Sequence, residues 1–189
     1  MSNQLNKVPG EEISKSKKFF TRLFSGSRLD LQLLENVQSG NIEEVKKLLL
    51  HGANVNAKDE MKTTALMLAC DFNMFDMVSL LINNGANLDA TNSLGFTAFH
   101  YAAQRNDIRI IRLLVNNDDV KVEARLNKKD DKGNTPLHFA VASGNSEMVD
   151  FLLKRKANRY IENNEKHIPM DIARKKGFES IVTLLRQKI

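Results

Sequence analysis

Apolar residues fall in short helical bursts along this chain, and the bursts repeat. In residues 130–162, Leu137 and Ala140 lead to Gly144-Asn145, and then Met148, Val149, Leu152 and Leu153 follow on one helical face. That spacing predicts two short helices and a turn. Thr135 stands where an N-cap hydroxyl accepts from an orphan backbone N–H. Pro136 suits the first helical position, where its missing N–H costs nothing. Gly144 can take the left-handed conformation that ends a helix. Two helices this short cannot bury an apolar face alone, so the pattern predicts neighbours of the same kind.

The neighbours are present. Thr64-Ala65-Leu66-Met67 with Ala69, Thr97-Ala98-Phe99-His100 with Ala102, and Ile168-Pro169-Met170-Asp171 with Ala173 repeat the start of the unit. From Thr64 the starts step by 33 residues to Thr97, by 38 to Thr135 and by 33 to Ile168. Second-helix endings precede them, in residues 48–54 and 80–87. A 33-residue unit with a T-P-L-H-x-A core resembles the ankyrin repeat, from about residue 30 to the end. The resemblance implies an all-α solenoid of about five helix-turn-helix units joined by β-hairpin-like fingers. The repeats lie at approximately 30–58, 59–91, 92–129, 130–162 and 163–189, behind a basic tail at 1–29. In such repeats the histidines of the T-P-L-H position, His100 and His138, are expected to bond backbone groups and tie neighbours together. Val55-Asn56, with Leu48 upstream, is similar to the asparagine context that a cellular hydroxylase modifies in animal ankyrin repeats; a structural role for Asn56 is the preferred reading.

Departures from the pattern are where function is sought. Repeat one has no T-P-L-H, and Asp30 is expected as its N-cap. In repeat two, Phe72 and Phe75 stand where repeat four has Ser143 and Ser146. Exposed large hydrophobes mark contact surfaces; Phe72 is read as contact, Met74 and Phe75 as packing. In repeat three, Leu94 and Phe96 align with the finger residues Lys132 and Asn134, and a finger tip has no core for them to join. Tyr101, Gln104 and Arg105 follow on the side that these folds turn inward, and Tyr and Arg are frequent interface anchors. Five added residues precede repeat four, within 116–125, and are expected to emerge as a longer loop.

Composition narrows the function. The hydrophobic share is 42% and the charged share 27%, which suits a packed soluble domain. No apolar run reaches the roughly 18 residues needed to cross a membrane, and the N-terminus lacks an uninterrupted apolar segment of the secretory type. The lone Cys70 excludes an internal disulfide or a multi-cysteine zinc site, and it falls beside Ala69 at a small core position. Charge is unevenly placed. Residues 1–30 hold six basic and three acidic side chains, 31–153 twelve and sixteen, and 154–189 ten and four. Both ends are therefore basic around a mildly acidic middle. Extra charge on terminal repeats keeps them soluble; the alternative is a basic end that meets an acidic partner or anionic membrane. Phe19, Phe20, Leu23 and Phe24, ringed by Lys15, Lys17, Lys18 and Arg22, form one helical face. We read it as a cap over repeat one, with membrane contact through residues 15–24 as the alternative.

Catalysis finds no footing. The four histidines lack a second ligand type at metal spacing. Asp59, Asp130 and Asp131 recur at repeat starts, which points to hairpin turns over acid–base chemistry. No phosphate-binding glycine loop occurs. The expected function is non-catalytic binding of a protein partner, by a monomer without cofactor, metal or small-molecule substrate. The expected contact residues are Leu94, Phe96, Tyr101 and Arg105, with Phe72, Glu60, Met61, Gln104, Asp131 and Lys132 around them. Nucleic acid is not expected, because the basic ends lack aromatic stacking platforms. Cytoplasmic location follows from the unpaired cysteine. Lys- and Asn-rich small ankyrin proteins also look like effectors that intracellular bacteria deliver into host cells by non-classical secretion. A eukaryotic scaffold or regulatory adaptor is the other reading.

Overall fold

The computed structural model describes residues 27–115 and 121–187. Among them are eleven helices and no strand; one isolated antiparallel bridge joins Lys58 to Thr64. They pair in chain order: α1 (Arg28–Gln38) with α2 (Ile42–Leu50), α3 (Ala65–Asp71) with α4 (Phe75–Asn83), and α5 (Ala98–Arg105) with α6 (Ile108–Leu114). The additional α7 (Val122–Leu126) follows. Then α8 (Pro136–Ala142) pairs with α9 (Ser146–Lys154), and α10 (Pro169–Lys176) with α11 (Glu179–Arg186). The tail segment around Phe19–Phe24 lies outside the described residues.

Local chemistry sets the ends of each helix. Thr64 Oγ1 accepts from Met67 N, and Asn41 and Asn145 accept from Glu44 N and Met148 N to start outer helices. The turn within each pair passes through a left-handed residue: Gly40, Asn73, Asn106, Gly144 and Gly177 all have positive φ. Asp30 is not the first cap. Ser27 is, with Asp30 Oδ2 accepting from Ser27 N and Ser27 Oγ accepting from Asp30 N, both at 3.2 Å. Asp30 thereby sits three residues inside the helix in a capping box, because a serine three residues earlier offers the reciprocal pair.

The first helices stack into an inner layer, α1 on α3, α3 on α5, α5 on α8 and α8 on α10. Outer helices follow, α2 on α4, α4 on α6 and α9 on α11, but α6 and α9 pack less closely than these. One continuous core runs between the layers, from Leu33 through Leu66, Phe99 and Leu137 to Ile181, each essentially solvent-free. Burying each such side chain contributes about 1.5–3 kcal/mol, so each repeat stabilises the next. The added residues of repeat three are not wholly a loop: 122–126 form α7, and its Leu126 is buried in the core. An apolar residue in that register converts part of an insertion into a helical turn.

Two polar ladders tie the stack. His100 Nε2 reaches the carbonyl of Asn134, and His138 Nε2 that of His167, as expected. Asn56 Oδ1 accepts from Asn87 N at 2.7 Å, which gives that asparagine a structural role. Asp30 and Asn127 do the same for Asn54 N and Asn158 N. At repeat three, α7 displaces the backbone that should donate. There Arg125 donates Nε and Nη2 to the carboxylate of Asp89, at 2.6 and 3.0 Å.

Candidate functional site

Each finger is a tight turn held by one side chain. Asn92 Oδ1 accepts from Leu94 N and Phe96 N at 3.0 and 2.9 Å; Asp130 Oδ1 accepts from Lys132 N and Asn134 N at 2.9 and 2.7 Å. Asp59 accepts from Thr63 N, and Asn163 from Glu165 N and His167 N. The turn role read for Asp59 and Asp130 is thus seen, whereas Asp131 is an exposed tip residue. Fingers also join to each other: Ser93 N donates to Met61 O, Asp131 N to Leu94 O and Asn164 N to Lys132 O. This pitch leaves no room for a side chain at Gly95, where a Cβ would meet Asp131 Oδ1 at 2.7 Å and Asp131 N at 2.9 Å.

Three large hydrophobes are left about half exposed on repeats two and three: Met61 at 49%, Phe72 at 50% and Leu94 at 52%. Met61 and Leu94 sit on adjacent fingers. Phe72 caps the far end of α3, a helix roughly 10 Å long, so it is separated from them by the inner surface. Tyr101 lies in between. Its hydroxyl accepts from Asn92 Nδ2 at 3.1 Å. Burial, with the carboxylates of Asp71 and Asp59 near by, pushes its pKa up.

Phe96 departs from expectation. Its ring packs 5.1 Å from Phe139, 5.3 Å from Tyr101 and 5.4 Å from His100, centroid to centroid. The finger folds back far enough to give Phe96 a satellite core with repeat four, and both it and Tyr101 are partly buried. Arg105 is also engaged, donating Nε to Asp71 Oδ1 at 2.8 Å, across one repeat. Met74 and Phe75 pack on the core. Gln104, Glu60, Asp131 and Lys132 are exposed. Of the expected contact residues, Met61, Phe72, Leu94, Glu60, Gln104, Arg105, Asp131 and Lys132 are exposed, whereas Phe96 and Tyr101 are partly buried.

The Asp89–Arg125 clamp escaped the sequence reading. Its signal was alignment across the insertion, which sets Arg125 against Asn54, Asn87 and Asn158, and Asp89 against Asn56 and Asn127. Cys70 is fully buried, and burial pushes its thiol pKa up, away from nucleophilic chemistry. No group of three metal-ligating side chains occurs among the described residues. No helix among them is long and apolar enough to cross a membrane.

Comparison with known proteins agrees with this architecture. Residues 33–125 match the family described as ankyrin repeats in three copies, and 121–173 that described as ankyrin repeats in many copies. A mitochondrial disaggregase of Bos taurus is 32% identical over 151 residues, which is 79% of this chain and 22% of that protein. An ankyrin repeat protein of Acanthamoeba polyphaga mimivirus is 34% identical over 139 residues, 69% of this chain and 18% of that protein. Ankyrin repeat and IBR domain-containing protein 1 of Homo sapiens is 35% identical over 66 residues, 35% of this chain and 6% of that protein. The chain thus spans less than a quarter of the length of these curated relatives. With its paired helices, finger turns and histidine ties, the chain belongs to the ankyrin-repeat family, a non-catalytic fold whose repeats mediate protein–protein interaction.

Proposed function

We propose that this chain holds a protein partner across the fingers and inner helices of repeats two to four. The observation that carries the reading is the exposure of Met61, Phe72 and Leu94, each half open to solvent on adjoining repeats. A folded chain gains nothing from such exposure, and exposed large hydrophobes on one side of a molecule mark contact surfaces. The polar surround of Glu60, Gln104, Asp131 and Lys132 supplies the rim that interfaces use for specificity. A standard interface takes roughly 800 Å² from each partner, an area that three repeats can supply.

The test compares one triple and one double variant by affinity capture and quantitative mass spectrometry. Met61→Glu, Phe72→Glu and Leu94→Glu together should remove the captured partner. Leu50→Glu with Tyr160→Glu changes the other two strongly exposed large hydrophobes among the described residues, 86% and 74% open, and should leave capture intact. Equal loss in both, or retention in the first, would overturn the reading.

A further inference from the structure

Asn84-Gly85 is the one asparagine–glycine pair in the sequence, and both residues are exposed where α4 ends. We infer that Asn84 is a site of spontaneous deamidation, gated by opening of the last turn of α4. An asparagine side chain is lost in this way when the backbone nitrogen of the next residue closes on its Cγ. The Gly85 N–H gives its proton to solvent base as the new N–Cγ bond forms. The Cγ–Nδ2 bond then breaks and ammonia leaves, which gives a five-membered succinimide. Water adds to either ring carbonyl and opens it, so residue 84 becomes aspartyl or isoaspartyl. No electrons are exchanged, and water is the co-reactant.

Room for the ring is the first argument. Glycine lets a backbone nitrogen approach closely, and nothing lies within 4 Å of the place a Gly85 Cβ would take. The gate is the second. Asn84 Nδ2 donates to Leu80 O at 2.8 Å, and Gly85 N donates to Ile82 O at 3.0 Å. Both acceptors belong to the last turn of α4, so one fraying event frees electrophile and nucleophile together, and helix ends open at little cost. Until then Asn84 keeps a near-helical backbone, with φ −95° and ψ 15°, which turns the Gly85 nitrogen away from Cγ. The third argument is the state of the asparagines followed by serine. Asn92 is buried, with Oδ1 accepting from Leu94 N and Phe96 N and Nδ2 donating to Tyr101. Asn145 Oδ1 accepts from Met148 N and its Nδ2 donates to Asn106 O.

Conversion changes the joint between the first two repeats. It removes the tie to Leu80 and sets a carboxylate at the negative end of the α4 dipole. The isoaspartyl form also lengthens the backbone by one atom ahead of Ala86 and Asn87, whose N–H groups bond Leu81 O and Asn56 Oδ1. This ageing step is independent of partner binding.

The test incubates the whole chain at neutral pH and body temperature in heavy-oxygen water, followed by peptide mapping with mass spectrometry. One heavy oxygen should enter the peptide that holds Asn84, in two separable products, before any other asparagine is converted. Conversion should be at least about tenfold slower in the folded chain than in the guanidinium-unfolded chain, because the turn is open only part of the time. Low denaturant should raise conversion and hydrogen exchange at the Gly85 amide in parallel. Asn84→Gln should remove the product and Asn83→Gln should leave it. Earlier conversion at Asn92 or Asn145 would overturn the inference, as would equal rates in folded and unfolded chains. So would a folded chain still unconverted after about a hundred half-lives of the unfolded one, since a fraying turn opens more often than that.

Discussion

His100 Nε2 donates to the carbonyl oxygen of Asn134, 3.2 Å away on the next finger, while its Nδ1 accepts from Thr97 N at 3.1 Å. One imidazole thus closes its own helix start and fixes the following repeat. The arrangement requires the neutral ring, because a proton on Nδ1 would face the Thr97 N–H.

Stability should therefore fall in mild acid. Burial is the main cause that lowers the pKa of His100 from 6.5 to about 4, and burial lowers that of His138 as well. Between these pH values the unfolded chain binds protons that the folded chain refuses. Unfolding free energy is then complete above about pH 6.5 and declines as pH falls towards 4. His100 alone accounts for at most about 3 kcal/mol. Urea midpoints measured near pH 7, 5.5 and 4.5 should decrease in that order. A flat profile would show that both rings ionise normally in the fold.

Lys62 and Lys166 hold the left-handed finger position that Gly95 and Gly133 hold elsewhere, with φ of 59° and 64°. A non-glycine residue there costs about 1 kcal/mol. Lys62→Gly and Lys166→Gly should each raise the unfolding free energy by roughly 0.5–1 kcal/mol. Gly95→Ala should do the reverse, by about 2 kcal/mol or more, since it adds a clash with Asp131 to the strain. Thermal melts of the three variants rank them; a neutral Gly95→Ala would mean that the fingers are not packed at this pitch.

Leu94 and Phe96 should separate cleanly. Leu94→Ala removes an exposed side chain and should alter stability by less than about 0.5 kcal/mol. Phe96→Ala dismantles the ring cluster with Tyr101 and Phe139 and should cost about 1–2 kcal/mol, near the worth of aromatic pairs plus their buried area. Chemical denaturation of the two single variants decides. Equal effects would return Phe96 to the exposed surface.

Much of this was legible from the chain. Thr135-Pro136 and Gly144-Asn145 reveal helix ends because caps and left-handed turns depend on residues a few positions apart. The 33-residue period places the core because every buried position recurs. What stayed hidden depends on contacts between units. Phe96 reads as a bare finger tip until Phe139, one repeat later, is brought beside it. Arg105 reads as a free anchor until Asp71 is placed opposite. Asp30 reads as a cap because the competing Ser27 sits ahead of the apolar pattern. The insertion reads as a loop because a five-residue helix is too short to show a period, although Leu126 fills a core position.

A slower probe bears on the step between repeats three and four. There Arg112 of α6 lies over the Phe151 ring of α9, 5.1 Å from its centroid, and Ser143 Oγ donates to Asn106 Oδ1 at 2.8 Å. Arg112→Ala should raise amide hydrogen exchange in α6 and α9 more than in α3 or α10. Uniform change along the chain would show that this step is no weaker than the rest.

The first helices of repeats three and four, α5 and α8, pack more closely than the outer helices α6 and α9, so the joint between them is held mainly along its inner edge. At that joint the outer contact is expected to open before the inner one. Pulled from its two ends by optical tweezers, the chain should yield first at this joint and leave two blocks that refold independently. A grip on a partner would then tighten or slacken through the angle between those blocks, with every finger keeping its own shape.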